Sequence, residues 1–200
     1  VGFEMYCRLL EEAVETLQTG KESEKVVEPI IELKEDAYLD GEYINDATNK
    51  IEIYQRIAAI RTDEHADQLE EELIDRFGAL TEPVKKIMQV ARLKNYARKL
   101  KIKSIIEKPA FVEICFDKAP NIELENMLLA KKQFDNLLKF VPKQNTIQIK
   151  ITPINKKHII NLCLKVVKVL TGEKLQKMTL KKEEKKKKKN MKVFIMIYWL

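Results

Sequence analysis

Near Lys101 the apolar residues change their spacing, and that change limits the fold more than any other feature of the chain. Before it they recur every three or four positions, the period of one face of an α-helix. After it, β-branched and aromatic residues come in short runs, 102–106 and 111–116, around Lys108-Pro109-Ala110. A hairpin is the simplest reading of those two runs. Residues 146–151 alternate Ile147, Ile149 and Ile151 with Gln148 and Lys150, the pattern of a half-buried strand.

The helical half carries its own start and stop signals. Asp46 or Thr48 caps a helix over about 48–60, with Ile51, Tyr54 and Ala58 in one stripe and Ile53, Ile57 and Ile60 beside it. So wide an apolar face predicts a buried helix. Thr62 caps a second helix, with Asp63 and Glu64 in its first turn, where negative charge suits the helix dipole. Its stripe is Ala66, Leu69, Leu73, Ile74 and Phe77, and Gly78 stops it. Thr81 caps a third helix, with Pro83 in the first turn. It runs to about Leu100 behind Val84, Ile87, Met88, Ala91 and Asn95 or Tyr96. Short connections predict a small antiparallel cluster.

Elsewhere, residues 3–18 read as an amphipathic helix stopped by Gly20, with Phe3, Tyr6, Leu9, Leu10, Ala13, Val14 and Leu17 on its apolar face. Residues 19–25 are polar. Residues 26–33 read as a strand broken at Pro29, and so as an edge strand. The loop 36–45 offers Tyr38, Leu39, Tyr43 and Ile44 as anchors. Residues 122–140 return to helical spacing, and 156–170 form a last helix closed by Thr171-Gly172. Helical and strand runs without βαβ alternation imply an α+β fold. The expectation is a small helical cluster packed with a short, mainly antiparallel sheet, plus a disordered Lys-rich tail.

A net charge of +6 first suggests nucleic acid, but the charge is localised. Residues 181–192 carry it: Lys181, Lys182, Lys185 to Lys189 and Lys192 stand against Glu183 and Glu184. The rest of the chain is neutral overall. After the Lys run, residues 193–200 are almost wholly apolar, yet a bilayer span needs about 20 residues. A homopolymeric Lys run implies A-rich, slippage-prone coding sequence, so residues after about 190 are read as an out-of-frame end. Val1 stands where a Met would begin a gene, already inside a helix pattern, which reads as a piece of a longer protein.

No G-x-x-x-x-G-K-[ST] or G-x-G-x-x-G cradle for phosphate occurs. His65 and His158 are far apart and lack flanking partners, so neither is assigned a catalytic or metal role. Cys7, Cys115 and Cys163 are isolated, which fits a reducing cytoplasm with neither a disulfide framework nor a zinc site. No catalytic residue, metal or cofactor is expected within this chain.

What stands out is an asymmetry. Residues 61–82 carry Asp63, Glu64, Asp67, Glu70, Glu71, Glu72, Asp75 and Glu82 against Arg61 and Arg76, a net of −6. Residues 84–108 carry Lys85, Lys86, Arg92, Lys94, Arg98, Lys99, Lys101, Lys103 and Lys108 against Glu107, a net of +8. Either the two helices attract each other and are otherwise solvated, or one face docks a partner. Glu72 and Asp75, three apart, share a face and could receive an arginine fork.

The same residues carry a resemblance. Val1-Gly2-Phe3-Glu4-Met5-Tyr6 with Leu9-Leu10-Glu11-Glu12-Ala13-Val14 resembles the end of the helicase-like motor in the transcription-repair coupling factor family. Glu71-Glu72-Leu73-Ile74-Asp75-Arg76-Phe77-Gly78, with Leu80 and Pro83, resembles the central motif of that family's C-terminal domain. Tyr54-Gln55-Arg56-Ile57-Ala58 and Ala91-Arg92-Leu93 fit the same pattern. Agreement is good over residues 1–106, weaker to about 172 and absent in the tail.

The resemblance implies a division into the motor's last helix (1–20), a linker and first strand (21–30), a regulatory TRCF domain (31–175) and the Lys-rich tail (176–200). It implies a bacterial, cytoplasmic parent that is an ATP- and Mg-dependent DNA translocase. That parent displaces stalled RNA polymerase and recruits nucleotide excision repair, without a membrane role. The C-terminal domain of the family masks the UvrA-binding module through the Glu and Asp matched by Glu72 and Asp75, facing arginines of that module. Glu71 and Arg76 are the supporting neighbours. The alternative reading is a nucleic-acid module using the basic helix 84–101 and the tail. Tyr96 is the sole aromatic among those bases, which leaves little for base stacking.

Overall fold

The computed structural model describes residues 28–173 except Ala119 and Asn121. The expected helix 3–18, the polar stretch 19–25, Cys7 and the tail 176–200 lie outside the described residues. In chain order the elements are β1 (Ile30–Glu32), α1 (Ala47–Ala59), α2 (Asp63–Phe77), α3 (Glu82–Lys99), β2 (Ile102–Glu107) and β3 (Phe111–Phe116). There follow α4 (Leu124–Phe134), β4 (Leu138–Val141), β5 (Thr146–Lys150) and α5 (Ile159–Leu170). The strands form one sheet in the order β1-β2-β3-β5-β4. β1 runs parallel to β2, and the other described pairs are antiparallel. The fold is therefore α+β with a mainly antiparallel sheet.

Helix starts follow the local chemistry. Asp46 caps α1, its side chain accepting from the Asn49 N–H, so Asp46 rather than Thr48 is the cap. Thr62 caps α2 by accepting from the His65 N–H. Gly78 ends α2 at φ 84, a conformation L-residues rarely adopt. Lys101 turns α3 directly into β2 at φ 54, which is why the apolar spacing changes there.

Two apolar cores share α3. Its first half, Val84, Met88 and Ala91, packs with Ile53, Ile57 and Ile60 of the α1 region and with Ala66, Leu69 and Leu73 of α2. Leu39, Tyr43 and Ile44 close this core from the preceding loop. The second half of α3, Leu93, Tyr96 and Ala97, joins the sheet and α5 in the other core. There α5 buries Cys163 among Ile159, Leu164, Val166, Val167 and Val169. Each fully buried aliphatic side chain contributes about 1.5–3 kcal/mol.

Four expectations are corrected. The helical spacing of 122–140 gives a helix only over Leu124–Phe134, and Leu138–Val141 is strand β4. Asp135, at φ 23, breaks the helix, and Lys131 Nζ donates to the carbonyls of Asp135 and Leu138 at 2.7 and 3.0 Å. Leu138 and Phe140 then face Ile149 and Ile147 across the ladder. The α1 stripe of Ile51, Tyr54 and Ala58 faces outward, since Ile53, Ile57 and Ile60 already meet α2 and α3. Ile74 is 47% exposed rather than part of the α2 core face. Tyr38 is 46% exposed and anchors nothing in the core.

Candidate docking face on the acidic helix

The acids of α2 divide between two neighbours. Its N-terminal half turns toward α3. Arg92, half-buried between the helices, donates to Asp67 at 2.8 Å and lies 3.0 Å from Glu70 and 3.8 Å from Asp63. Asp63 also accepts from Lys168 at 3.1 Å and from the Tyr96 hydroxyl at 2.5 Å. That hydroxyl is shared with Glu173 at 2.6 Å. Burial and the two carboxylates push the Tyr96 phenol far above its usual range. Burial also pushes Asp63 up, but Tyr96, Lys168 and Arg92 together hold it below the ordinary carboxylate range. This cluster ties α2, α3 and α5 together.

The C-terminal half of α2 faces α1 and solvent. Both oxygens of Glu72 are taken by the Arg56 fork: Nη1 donates to Oε1 at 2.5 Å and Nη2 donates to Oε2. Arg76 Nη1 donates to Oε1 at 2.9 Å from one turn along. The Arg56 and Arg76 guanidiniums hold the Glu72 carboxyl down to about 2. Arg76 also lies over the Phe77 ring, 5.0 Å from its centroid. Glu71, Ile74 and Asp75 share the outward surface, since positions three and four apart lie on one helix face. Among the described residues, no hydrogen bond or ion pair engages the Glu71 or Asp75 side chain. The structure thus places Glu72 and Asp75 on one helix but in different states, one committed to two arginines and one open.

The basic helix is not a free cationic face. Lys85 pairs with Glu82 at 2.5 Å, Lys86 with Glu35 at 3.0 Å and Arg92 with the α2 acids. Lys94 and Arg98 pair with Glu28 at 3.0 and 2.9 Å, and Lys99 with Glu173 at 3.4 Å. Burial pushes Glu28 up, but Arg98 and Lys94 outweigh it and hold the carboxyl at about 2. Every base of α3 therefore has an acidic partner, which weakens the case for a phosphate-tracking helix.

The pairing roles of Arg56 and Glu28 were not visible in the sequence. Each meets its partner across elements, 16 residues away for Arg56 and 70 for Glu28, beyond what helical spacing can show. Among the described residues, no group of three or more His, Cys, Asp or Glu is placed to hold a metal ion. No helix there is long and apolar enough to cross a membrane.

The TRCF domain family matches residues 33–127. The transcription-repair-coupling factor of Bacillus subtilis (strain 168) is 31% identical over 129 residues, 64% of this chain and 11% of that protein. The protein of the same name from Escherichia coli (strain K12) is 34% identical over 109 residues, 52% of this chain and 10% of that protein. The chain thus spans about a tenth of the length of these relatives. A crystal structure of the C-terminal domain of transcription-repair coupling factor superposes with a TM-score of 0.63 at 28% identity, covering 75% of this chain and 96% of that one.

Proposed function

Because this chain belongs to the TRCF-domain family of transcription-repair coupling factors, we propose that it is the regulatory C-terminal domain of such a protein and docks through the outward face of α2. In this reading the parent is an ATP-driven DNA translocase that displaces stalled RNA polymerase and recruits excision repair. ATP and Mg belong to its motor, since no phosphate-binding glycine loop occurs in this chain. The domain contacts the UvrA-binding module of the same parent and masks it until polymerase is engaged.

The observation that supports this reading is the pairing of open and guarded carboxylates beside an exposed apolar side chain. Asp75 and Glu71 are exposed and unpaired among the described residues, and Glu72 accepts from two arginines. Ile74, 47% exposed, sits between them. Such a surface suits a partner with guanidinium groups and a shallow apolar seat. A small charged contact orients the partner without sealing the two parts together. Tethering in one chain raises the effective concentration, so a weak contact suffices.

The test is binding of this chain to the separately expressed UvrA-binding module, with Glu72→Lys/Asp75→Lys as the comparison. Salt-sensitive binding that the double reversal abolishes is the expected result. Equal binding by both chains would mean that the α2 face is merely solvated.

A further inference from the structure

We propose that Arg56 is an internal competitor for the docking carboxylate, holding Glu72 in the free domain and yielding it to a guanidinium of the partner. This rests on the docking reading above and adds to it the residue that sets the strength of the contact.

The argument starts from the acceptor capacity of one carboxylate, which offers about four lone-pair sites. Arg56 fills two of them and Arg76 a third. One site is left, and a bidentate fork needs two. An incoming arginine therefore reaches Glu72 in fork geometry only by displacing the fork already there. Arg76 is poorly suited to leave, because its guanidinium also reaches Asn49 Oδ1 at 3.4 Å and lies over Phe77. Arg56 has somewhere to go. Glu52, one turn back on α1, already lies 3.8 Å from its guanidinium with a side chain 52% exposed. Swinging from Glu72 to Glu52 keeps the Arg56 charge paired throughout.

The consequence is an exchange rather than a new bond. Docking at Glu72 makes one charge-assisted pair and breaks another of the same kind, so its net contribution is small. Asp75 has no ion pair to exchange among the described residues, and docking there gains in full. The two carboxylates then differ in role: Asp75 supplies affinity, and Glu72 supplies orientation at little net gain. The arrangement keeps the contact weak enough to open.

The experiment measures the affinity of four chains for the UvrA-binding module: wild type, Arg56→Met, Glu72→Gln and the double variant. Met keeps the apolar stem and removes the fork. Arg56→Met is expected to bind about two- to fivefold more tightly, the range of one exposed ion pair. Glu72→Gln is expected to cost more affinity in the Arg56→Met background than in wild type. A residue that merely braced α1 against α2 would give the opposite result, since its loss would loosen the face and weaken binding. Arg56→Lys serves as the second variant, because it keeps charge and stem but not the fork, and it too should tighten binding. Unchanged or weaker binding by both Arg56 variants overturns the inference. If Glu72→Lys/Asp75→Lys still abolishes wild-type binding, the docking reading survives that outcome. If the double reversal leaves binding intact, the docking reading falls first.

Discussion

Acid should unfold this domain through two particular glutamates. Glu28 and Glu72 are each held at about 2, against 4.5 for a free glutamate. A folded-state pKa below the unfolded one means that the unfolded chain binds the proton more readily. The stability from each pair is therefore complete above about pH 4.5 and is lost as the pH falls toward 2. Taken at face value, such a difference is worth about 3 kcal/mol per group. The side chains are 39% and 33% exposed, so solvent screening reduces each to about 1 kcal/mol. Glu28 precedes β1, Glu72 lies on α2 and they share no partner, so their effects should add, giving about 2 kcal/mol together. Urea unfolding at pH 7, 4.5 and 3 measures this directly. Wild type should lose about 1 kcal/mol more across that range than Glu28→Gln/Glu72→Gln, the remainder going below pH 3, because the double variant has already lost both pairs. Parallel profiles for the two chains would refute the reasoning, and with it the assignment of these arginine pairs as net stabilising.

Leu73→Ala empties a fully buried site between α2 and its neighbours and should cost about 2–5 kcal/mol in urea unfolding. Gly78→Ala meets no atom within 4 Å but must hold φ 84, so thermal unfolding should show a loss of about 1–3 kcal/mol from backbone strain alone. Tyr96→Phe deprives Asp63 and Glu173 of a shared donor and should lower stability by about 1–3 kcal/mol in urea unfolding, while affinity for the UvrA-binding module stays unchanged. A chain ending at Glu173 should lose whatever salt-dependent affinity for duplex DNA the full chain shows, as read by titration at two salt concentrations, because the bases of α3 are internally paired.

The helices were legible wherever capping and periodicity agreed. Thr62, Asp63 and Gly78 bracket α2 by local chemistry, and local chemistry is what a sequence displays. The hairpin of β2 and β3 was legible for the same reason. β4 was not, because Leu137, Leu138 and Phe140 fit either period, and only the ladder to β5 decides between them. The outward turn of Ile51 and Ile74 was hidden too. Both extend an apolar stripe, and which edge of a wide stripe is buried depends on the neighbouring helix. In the candidate site, Glu72 and Asp75 were visible as a spacing on one face. Their difference was not, because it depends on Arg56, which belongs to another helix.

That difference bears on how a charged contact can be made reversible. Were all the acids of α2 free, a basic partner would gain from each of them, and release would require breaking several pairs at once. Instead Asp63, Asp67 and Glu70 are spent on Arg92 and Lys168, and Glu72 on Arg56 and Arg76. The internal pairs hold the helix in place and hide most of its charge from the outside. In the C-terminal half of the helix, Glu71 and Asp75 are left without an ion pair among the described residues, beside the exposed Ile74. A regulatory contact has to be broken by a conformational change worth a few kcal/mol, which limits what the closed state can gain. An acidic helix that satisfies most of its own charge stays inside that limit, and in the proposed docking its remaining carboxylates would still specify where the partner sits.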